Sequence, residues 1–343
     1  MKIFYAVQAT GNGHISRAYQ LMPYLEQYGE VDVFLSGSNS NLNVPLPIKY
    51  RSSGISLNYS ECGGLDIQKT WKDMKLLNAM KLARQLPVEQ YDVIINDFES
   101  ITAQACRIKN VPSIQFGHQA SFQSSLTPRP TSKNILGEMI LKYYAKSAHY
   151  IGLHFDAYDD FIFPPVIKQE IQDAEVVDKG HITVYLPAYQ KFCLVHFFKK
   201  LKHLEFQWFL PEIKEPYREN NIHYFPIDNQ SFNKSLISCH GLITGGGFET
   251  PAEALYLNKK LMSIPISKHY EQQCNAAALS KLKVHVLTEP GKYFDLEIIN
   301  WLNQTHELPK IHANNIEKTL EKLFALAKNQ KQANLVEELA LSN

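Results

Sequence analysis

The 343-residue chain has five cysteines, Cys62, Cys106, Cys193, Cys239 and Cys274, scattered and with no C-x-x-C pair. An odd, dispersed set supports neither a disulfide framework nor a zinc site, and reduced thiols are expected. No charge of one sign dominates: 35 Lys and Arg stand against 34 Asp and Glu, a net charge of +1. Such a balance gives no global field for nucleic acid, and no nucleic-acid partner is expected. No apolar run reaches the about 18 residues that a spanning helix needs. The short run Ile3–Ala9 behind Lys2 has no cleavage pattern and leads into Gly11-Asn12-Gly13-His14. It reads as a first strand rather than a secretion signal. No glycine run is followed by Gly-Lys-Ser/Thr, which excludes a Walker loop. Internal repeats and low-complexity tracts are absent as well.

What remains is an ordinary globular composition, 45% hydrophobic and 20% charged, with enough residues for two domains of about 150. Strand and helix signals alternate from the start. Residues 2–9 read as a buried strand, Gly11–His14 as a loop, Arg17–Gln27 as a helix and Val31–Ser36 as a strand. Helical character follows over Thr70–Leu86, Ser100–Lys109 and Lys133–Ser147. Strands fall at Tyr91–Asn96, Pro112–Phe116 and Tyr150–Phe155. This β-α-β order predicts a parallel sheet with right-handed crossovers. The pattern pauses after Asp156 and restarts at His181. The expectation is therefore an α/β protein of two Rossmann-like doubly wound domains facing across a cleft. Their bounds are 1–160 and 181–325, with a linker at 161–180 and a closing helix at 326–343.

The most informative stretch runs from Gly241 to Leu255: GLITGGGFETPAEAL. A buried strand gives way to three glycines and then to a helix start. Thr250, Pro251 and Glu253 have the spacing of a capping box with proline at the first helical position. Glycines before a helix N-terminus let a backbone approach a ligand and present free N–H groups at the positive end of the dipole, a setting for phosphate. Further on, Pro265-Ile266-Ser267-Lys268-His269-Tyr270-Glu271-Gln272-Gln273-Cys274-Asn275-Ala276 gathers polar side chains at another strand-to-helix turn. In an open α/β sheet both turns lie at the carboxyl ends of strands, where ligands bind. One turn suits a diphosphate and the other a hydroxyl-rich group, which together describe a nucleotide sugar.

These two stretches resemble the donor-site signature of GT-B glycosyltransferases, in particular the MurG-like enzymes and a related prokaryotic family. Gly11-Asn12-Gly13-His14-Ile15-Ser16-Arg17 is similar to the opening loop of the same enzymes. The resemblance implies an inverting transferase that moves a sugar from a nucleotide-diphosphate donor, UDP by expectation, to an acceptor hydroxyl. Gly245, Gly246, Gly247 and Phe248 would face the diphosphate, Glu253 the ribose, and Glu271, Gln272 and Gln273 the sugar. Phe225 and Ile227 would flank the base, and Leu186–Tyr189 would close over the donor. Asn12, Gly13 and His118 would lie on the acceptor side. The closing helix would pack back on the first domain.

His14 fits a general base, because a neutral imidazole near pH 7 can take a proton from an acceptor hydroxyl. Asp97, at the end of a strand, would orient it. Glu99 competes for that role, either carboxylate can instead cap the helix at Ser100, and His118 is the rival base. Glu253 has a plain alternative in the capping box, Gln272 and Gln273 in a helix surface, and Asn275 in local packing. Lys268, His269 and Glu271 depart from the best-known members, which leaves the sugar open. No D-x-D occurs, so the carboxylates that hold a divalent ion in metal-dependent transferases are lacking, and no cofactor or metal is expected. Two basic, apolar segments, Thr70–Arg84 and Lys133–Lys146, suit either a core-packed helix or an anionic membrane surface carrying a lipid-linked acceptor. The localisation expected is cytoplasmic, with contact at the inner membrane face on the second view. Two further classes stay open on the residues: a nucleotide-sugar epimerase and a non-catalytic nucleotide-sugar binder. A dinucleotide oxidoreductase is disfavoured, since Ser16 replaces the third glycine and no acid ends the second strand.

Overall fold

The computed structural model describes residues 1–9, 11–37, 45–54, 76–305 and 307–341, with backbone alone at 76–77 and 331–341. Two seven-stranded sheets form its frame. The first takes β1 (Lys2–Gln8), β2 (Glu30–Ser36), β3 (Ile48–Ser52), β4 (Val93–Asp97), β5 (Ile114–Gly117), β6 (His149–Leu153) and β7 (Ile162–Phe163). Its order is β3-β2-β1-β4-β5-β6-β7, parallel throughout. Every residue of β4 is buried, as are all of β1 after Lys2. Such near-continuous apolar strands are what a parallel sheet covered on both faces requires. Helices α1 (Asn12–Leu25), α2 (Leu76–Gln85), α3 (Ser100–Lys109) and α4 (Ile135–Tyr143) belong to this half. Residues 70–75 of the expected helix at 70–86 lie outside the described residues.

Past α5 (Gln169–Gln172), the second sheet takes β8 (Ile182–Tyr185), β9 (Phe206–Phe209), β10 (Tyr217–Glu219), β11 (Ile222–Phe225), β12 (Gly241–Gly245), β13 (Lys260–Ile264) and β14 (His285–Val286). Its order is β10-β11-β9-β8-β12-β13-β14, with only the edge pair β10–β11 antiparallel. Trp208, Phe198, Phe206 and Phe294 pack its core. Its helices are α6 (Lys191–Lys200), α7 (Asn229–Ser238), α8 (Glu249–Tyr256), α9 (Tyr270–Lys281) and α10 (Phe294–Leu302). The last helix, α11 (Ile316–Leu341), returns to the first domain. Phe324 stacks on Tyr28 at 3.9 Å, and Lys322 Nζ donates to the Asp160 carbonyl at 2.8 Å.

Strand order reverses between β1 and β4 in the first sheet and between β8 and β12 in the second. At these switch points the loops diverge to opposite faces and leave a crevice at the strands' carboxyl ends. The crevices hold the two glycine-rich stretches of the sequence.

Three local expectations are corrected. Gly11–His14 is not a loop ahead of a helix: Gly11, extended at φ −166°, caps α1, and Asn12 to His14 form its first turn. His14 and Arg17 are then three residues apart on one helical face. The capping box at Thr250 does not form either. Helix α8 begins two residues earlier, at Glu249, with Phe248 at the cap position and no side-chain cap bond. Glu253 instead reaches Lys168. Cys193 is disulfide-bonded, against the expectation of reduced thiols throughout, while Cys106, Cys239 and Cys274 are free and buried.

Candidate active site

Asp97 ends β4 directly beside Val7 of β1, whose loop leads into α1. That register puts its carboxylate against the first turn of α1. His14 Nδ1 lies 2.9 Å from Asp97 Oδ1. Arg17, one turn on, sends Nη2 to Asp97 Oδ1 and Oδ2 at 2.7 and 2.8 Å and Nε to Oδ2 at 3.2 Å. A carboxylate only accepts, so in the Asp97 contact the His14 ring donates from Nδ1 and keeps its lone pair on Nε2; Arg17 Nη2 also stands 3.0 Å from that Nδ1. Arg17 and Asp97 are both fully buried, whereas the His14 side chain remains 13% exposed. Asp97, not Glu99, faces His14: Glu99 caps α3, accepting from the N–H groups of Ile101 and Thr102 at 2.9 and 2.6 Å. Phe98 sits between them in the left-handed region at φ 55°, a strained conformation for a bulky side chain that turns Asp97 inward and Glu99 onto the helix. Gly117, at φ +146°, brings β5 against the same carboxylate; a Cβ there would stand 2.7 Å from Asp97 Oδ1.

Burial works to lower the His14 pKa, but the charge and hydrogen bond of Asp97, helped by Glu249, outweigh it and raise the pKa above the ordinary imidazole value, against the opposing charge of Arg17. Burial likewise works to raise Asp97, yet Arg17 and His14 hold it below the usual carboxylate range. Each member of this buried cluster thus depends on the next.

The second half closes over this cluster. Glu249, the first residue of α8, pairs with Arg17 Nη1. Gly13 lies under the same carboxylate, where a Cβ would overlap it. His118 sits at the end of β5, buried, with Nδ1 3.0 Å from the Leu153 carbonyl and Nε2 2.7 Å from Asn275 Oδ1. Its ring stacks on Phe248 at 4.0 Å. Burial lowers its pKa, and both ring nitrogens are engaged. Asn275 therefore does more than pack locally: it also donates to the Gly246 carbonyl at 3.0 Å, tying the glycine turn to the facing domain. Gln119 donates to Glu271 Oε1 at 3.0 Å and its Nε2 lies 3.5 Å from His14 Nε2. Asn12 hydrogen-bonds Tyr185 across the cleft.

The glycine turn follows β12. Gly246 N–H and Ile266 N–H both donate to Gln272 Oε1, at 3.2 and 2.9 Å. Gln272 thus staples the turn to the loop after β13, and Gln273 is half-buried on the next position of α9. A Cβ on Gly246 would meet Gln272 and Pro265 at 2.9 Å, whereas Gly247 faces open space. Gly246→Ala is accordingly expected to cost about 1–3 kcal/mol, measured by urea unfolding; a wild-type midpoint would contradict the packing. A pocket of about 100 Å³ opens beside the turn, lined among others by Tyr185, Pro187, Tyr189, Gly245, Gly247, Thr250 and Gln272. Glu253 is 2% exposed and sits 3.2 Å from Lys168 Nζ; burial raises its pKa, with Lys168 pulling the other way. Phe225 stacks on Phe209 at 5.1 Å, and Ile227 packs on the core nearby.

The sequence singled out His14, Asp97 and the glycine turn, and the structure brings them to one cleft. Arg17 and Glu249 lie inside these motifs, but the sequence pattern assigns neither of them a part. Glu249 has no signal of its own beyond its place behind three glycines. Arg17 has one: it stands a helical turn after His14, visible only once Gly11 is known to start α1.

Two doubly wound domains with facing switch points make the GT-B arrangement. The family model described as "Glycosyl transferase family 1" matches residues 1–302, and the chain belongs to that family. Solved structures agree on the fold. The glycosyltransferase SnogD from Streptomyces nogalater aligns with TM-score 0.53 at 14% identity over 95% of this chain and 99% of its own. Arabidopsis thaliana UGT89C1 complexed with UDP gives 0.57 at 13% identity over 95% and 94%. Phytolacca americana UGT2 complexed with UDP-2fluoro-glucose and pterostilbene gives 0.55 at 12% identity over 95% and 99%. No curated protein sequence matches the chain.

Proposed function

We propose that this glycosyltransferase is an inverting, metal-independent enzyme that uses a UDP-sugar. The observation that carries the mechanism is the 2.9 Å contact between His14 Nδ1 and Asp97 Oδ1 in a cleft facing the glycine turn. His14 Nε2 takes the proton of an acceptor hydroxyl as its oxygen bonds the anomeric carbon. The bond from that carbon to the diphosphate breaks, and the nucleoside diphosphate leaves with the electron pair. One displacement from the face opposite the leaving group inverts the anomeric centre. Asp97 fixes the tautomer and stabilises the imidazolium, while Arg17 holds Asp97 in place. Backbone N–H groups at Gly247 and Phe248, with the start of α8, meet the charge that grows on the diphosphate.

The donor reading draws support from the pocket beside the turn and from the UDP ligands named in two similar structures. Glu253 is proposed for the ribose, with Lys168 opposing the effect of its burial, and Glu271 with Gln273 for the sugar hydroxyls. Phe225 and Ile227 are proposed to flank the base, and Asn12, Gly13 and His118 to shape the acceptor side. The test is incubation with a panel of UDP-sugars and candidate acceptors in EDTA, followed by NMR of the product. Transfer with inverted configuration is expected. Retained configuration, a strict metal requirement or isomerisation of the sugar without transfer would each overturn the proposal.

A further inference from the structure

Helix α4 turns its apolar side the wrong way for a soluble core. Ile135, Leu136, Met139, Ile140 and Tyr143 are between 45% and 79% exposed. They recur at alternating steps of one and three residues, which places them on one continuous stripe. The inner side of α4 is already filled: Gly137 lies directly under the Tyr270 ring, Leu141 is buried, and Glu138 accepts from Tyr270 Oη and Arg129 Nε at 2.6 and 2.7 Å. The stripe is therefore not an alternative core face. Leu126, 63% exposed in the preceding loop, is a further large apolar group left in solvent.

Charge identifies what covers it. Lys133, Lys142 and Lys146 are exposed along the helix and its two ends, and among the described residues none of them forms an ion pair. The one acid on the helix, Glu138, is half-buried and committed to Arg129. An apolar stripe rimmed by free lysines matches an anionic lipid surface, into which the apolar side chains insert while the lysines meet headgroups. A second copy of the chain would set lysines against lysines.

We infer that α4 docks this enzyme on an anionic membrane. Helix α4 packs on Tyr270, next to Glu271, and follows the His118–Gln123 turn at the carboxyl end of β5. A bilayer at that face would lie along the edge of the cleft, and the acceptor would be lipid-borne. Only this last step rests on the proposed function; docking itself does not.

The test is sedimentation of the full chain with phosphatidylcholine vesicles that contain or lack phosphatidylglycerol. Leu136→Glu/Ile140→Glu and Lys142→Glu/Lys146→Glu are compared with wild type, with circular dichroism and UDP calorimetry as controls for folding and donor binding. Wild type is expected to bind anionic vesicles only, with each double variant reducing the bound fraction by about tenfold and leaving UDP binding alone. Failure of wild type to bind, equal binding to neutral vesicles, or variants that bind as wild type would overturn the inference. So would a dimer in solution, seen by ultracentrifugation, that Leu136→Glu/Ile140→Glu breaks. Loss of UDP binding in wild type would instead count against the donor site and leave the docking result standing.

Discussion

His14→Gln is expected to lower turnover by about 10²–10⁴-fold, the range for removing a positioned base, while UDP affinity stays within about threefold. The ring is 13% exposed and bonds to Asp97, Arg17 and Gln119, so its loss removes the proton acceptor and leaves the bonds that hold the glycine turn in place. The pH profile follows from the same geometry. A base works only when unprotonated, and Asp97 raises the His14 pKa above the ordinary value of 6.5. The acid limb of kcat/KM should therefore fall away above pH 6.5 as pH drops. Asp97→Asn takes away the raising charge, leaves the opposing charge of Arg17, and should move that limb to lower pH along with a large loss of turnover. Full activity in His14→Gln, or an acid limb indifferent to Asp97→Asn, would remove His14 from the mechanism.

Arg17→Met is expected to destabilise the fold by about 3–5 kcal/mol, because it strands a buried carboxylate. Asp97 takes three of its close contacts from this guanidinium, and the second domain takes one through Glu249. Glu249→Gln should cost less, since its side chain is 23% exposed and retains water. Urea unfolding of Arg17→Met, Asp97→Asn and the double variant measures the coupling directly. A double variant close to the worse single one is expected, and full additivity would mean that the two do not act together. The signs with pH are opposite for the two titrating partners. Asp97, depressed, contributes stability above the ordinary carboxyl range that is lost as pH falls through its lowered pKa. His14, raised, contributes stability below the ordinary imidazole value that is lost as pH rises through its raised pKa.

The α/β frame was legible because buried parallel strands write themselves as apolar runs: β1, β4 and β12 all stand where the sequence put them. The two glycine stretches were legible for a related reason. A backbone that comes close to its neighbours tolerates no Cβ, as Gly13 and Gly246 show. What was missed depends on where helices begin. Gly11 begins α1 earlier than polarity alone indicates, which is why Arg17 was left without a role. Phe248 begins α8 earlier than the Thr250 capping box indicates, because Glu249 at the first turn is drawn to Arg17 of the other domain. A tertiary ion pair outweighed a local cap. Asn275 and Gln119 were missed for the same kind of reason, since their partners lie more than a hundred residues away.

The central claim is that a nucleotide sugar lies on the glycine turn, opposite His14. Gly247 has open space around its Cβ position, so Gly247→Ala should leave the unfolding midpoint unchanged. If a diphosphate lies on this backbone, the added methyl group stands in its way. The direct measurement is calorimetric titration of UDP and a panel of UDP-sugars into wild type and Gly247→Ala in EDTA, with unfolding midpoints taken on the same samples. The account predicts metal-independent binding to wild type, at least about tenfold weaker in Gly247→Ala at equal stability. Binding that Gly247→Ala leaves untouched, or no binding of any UDP ligand to wild type, would contradict it.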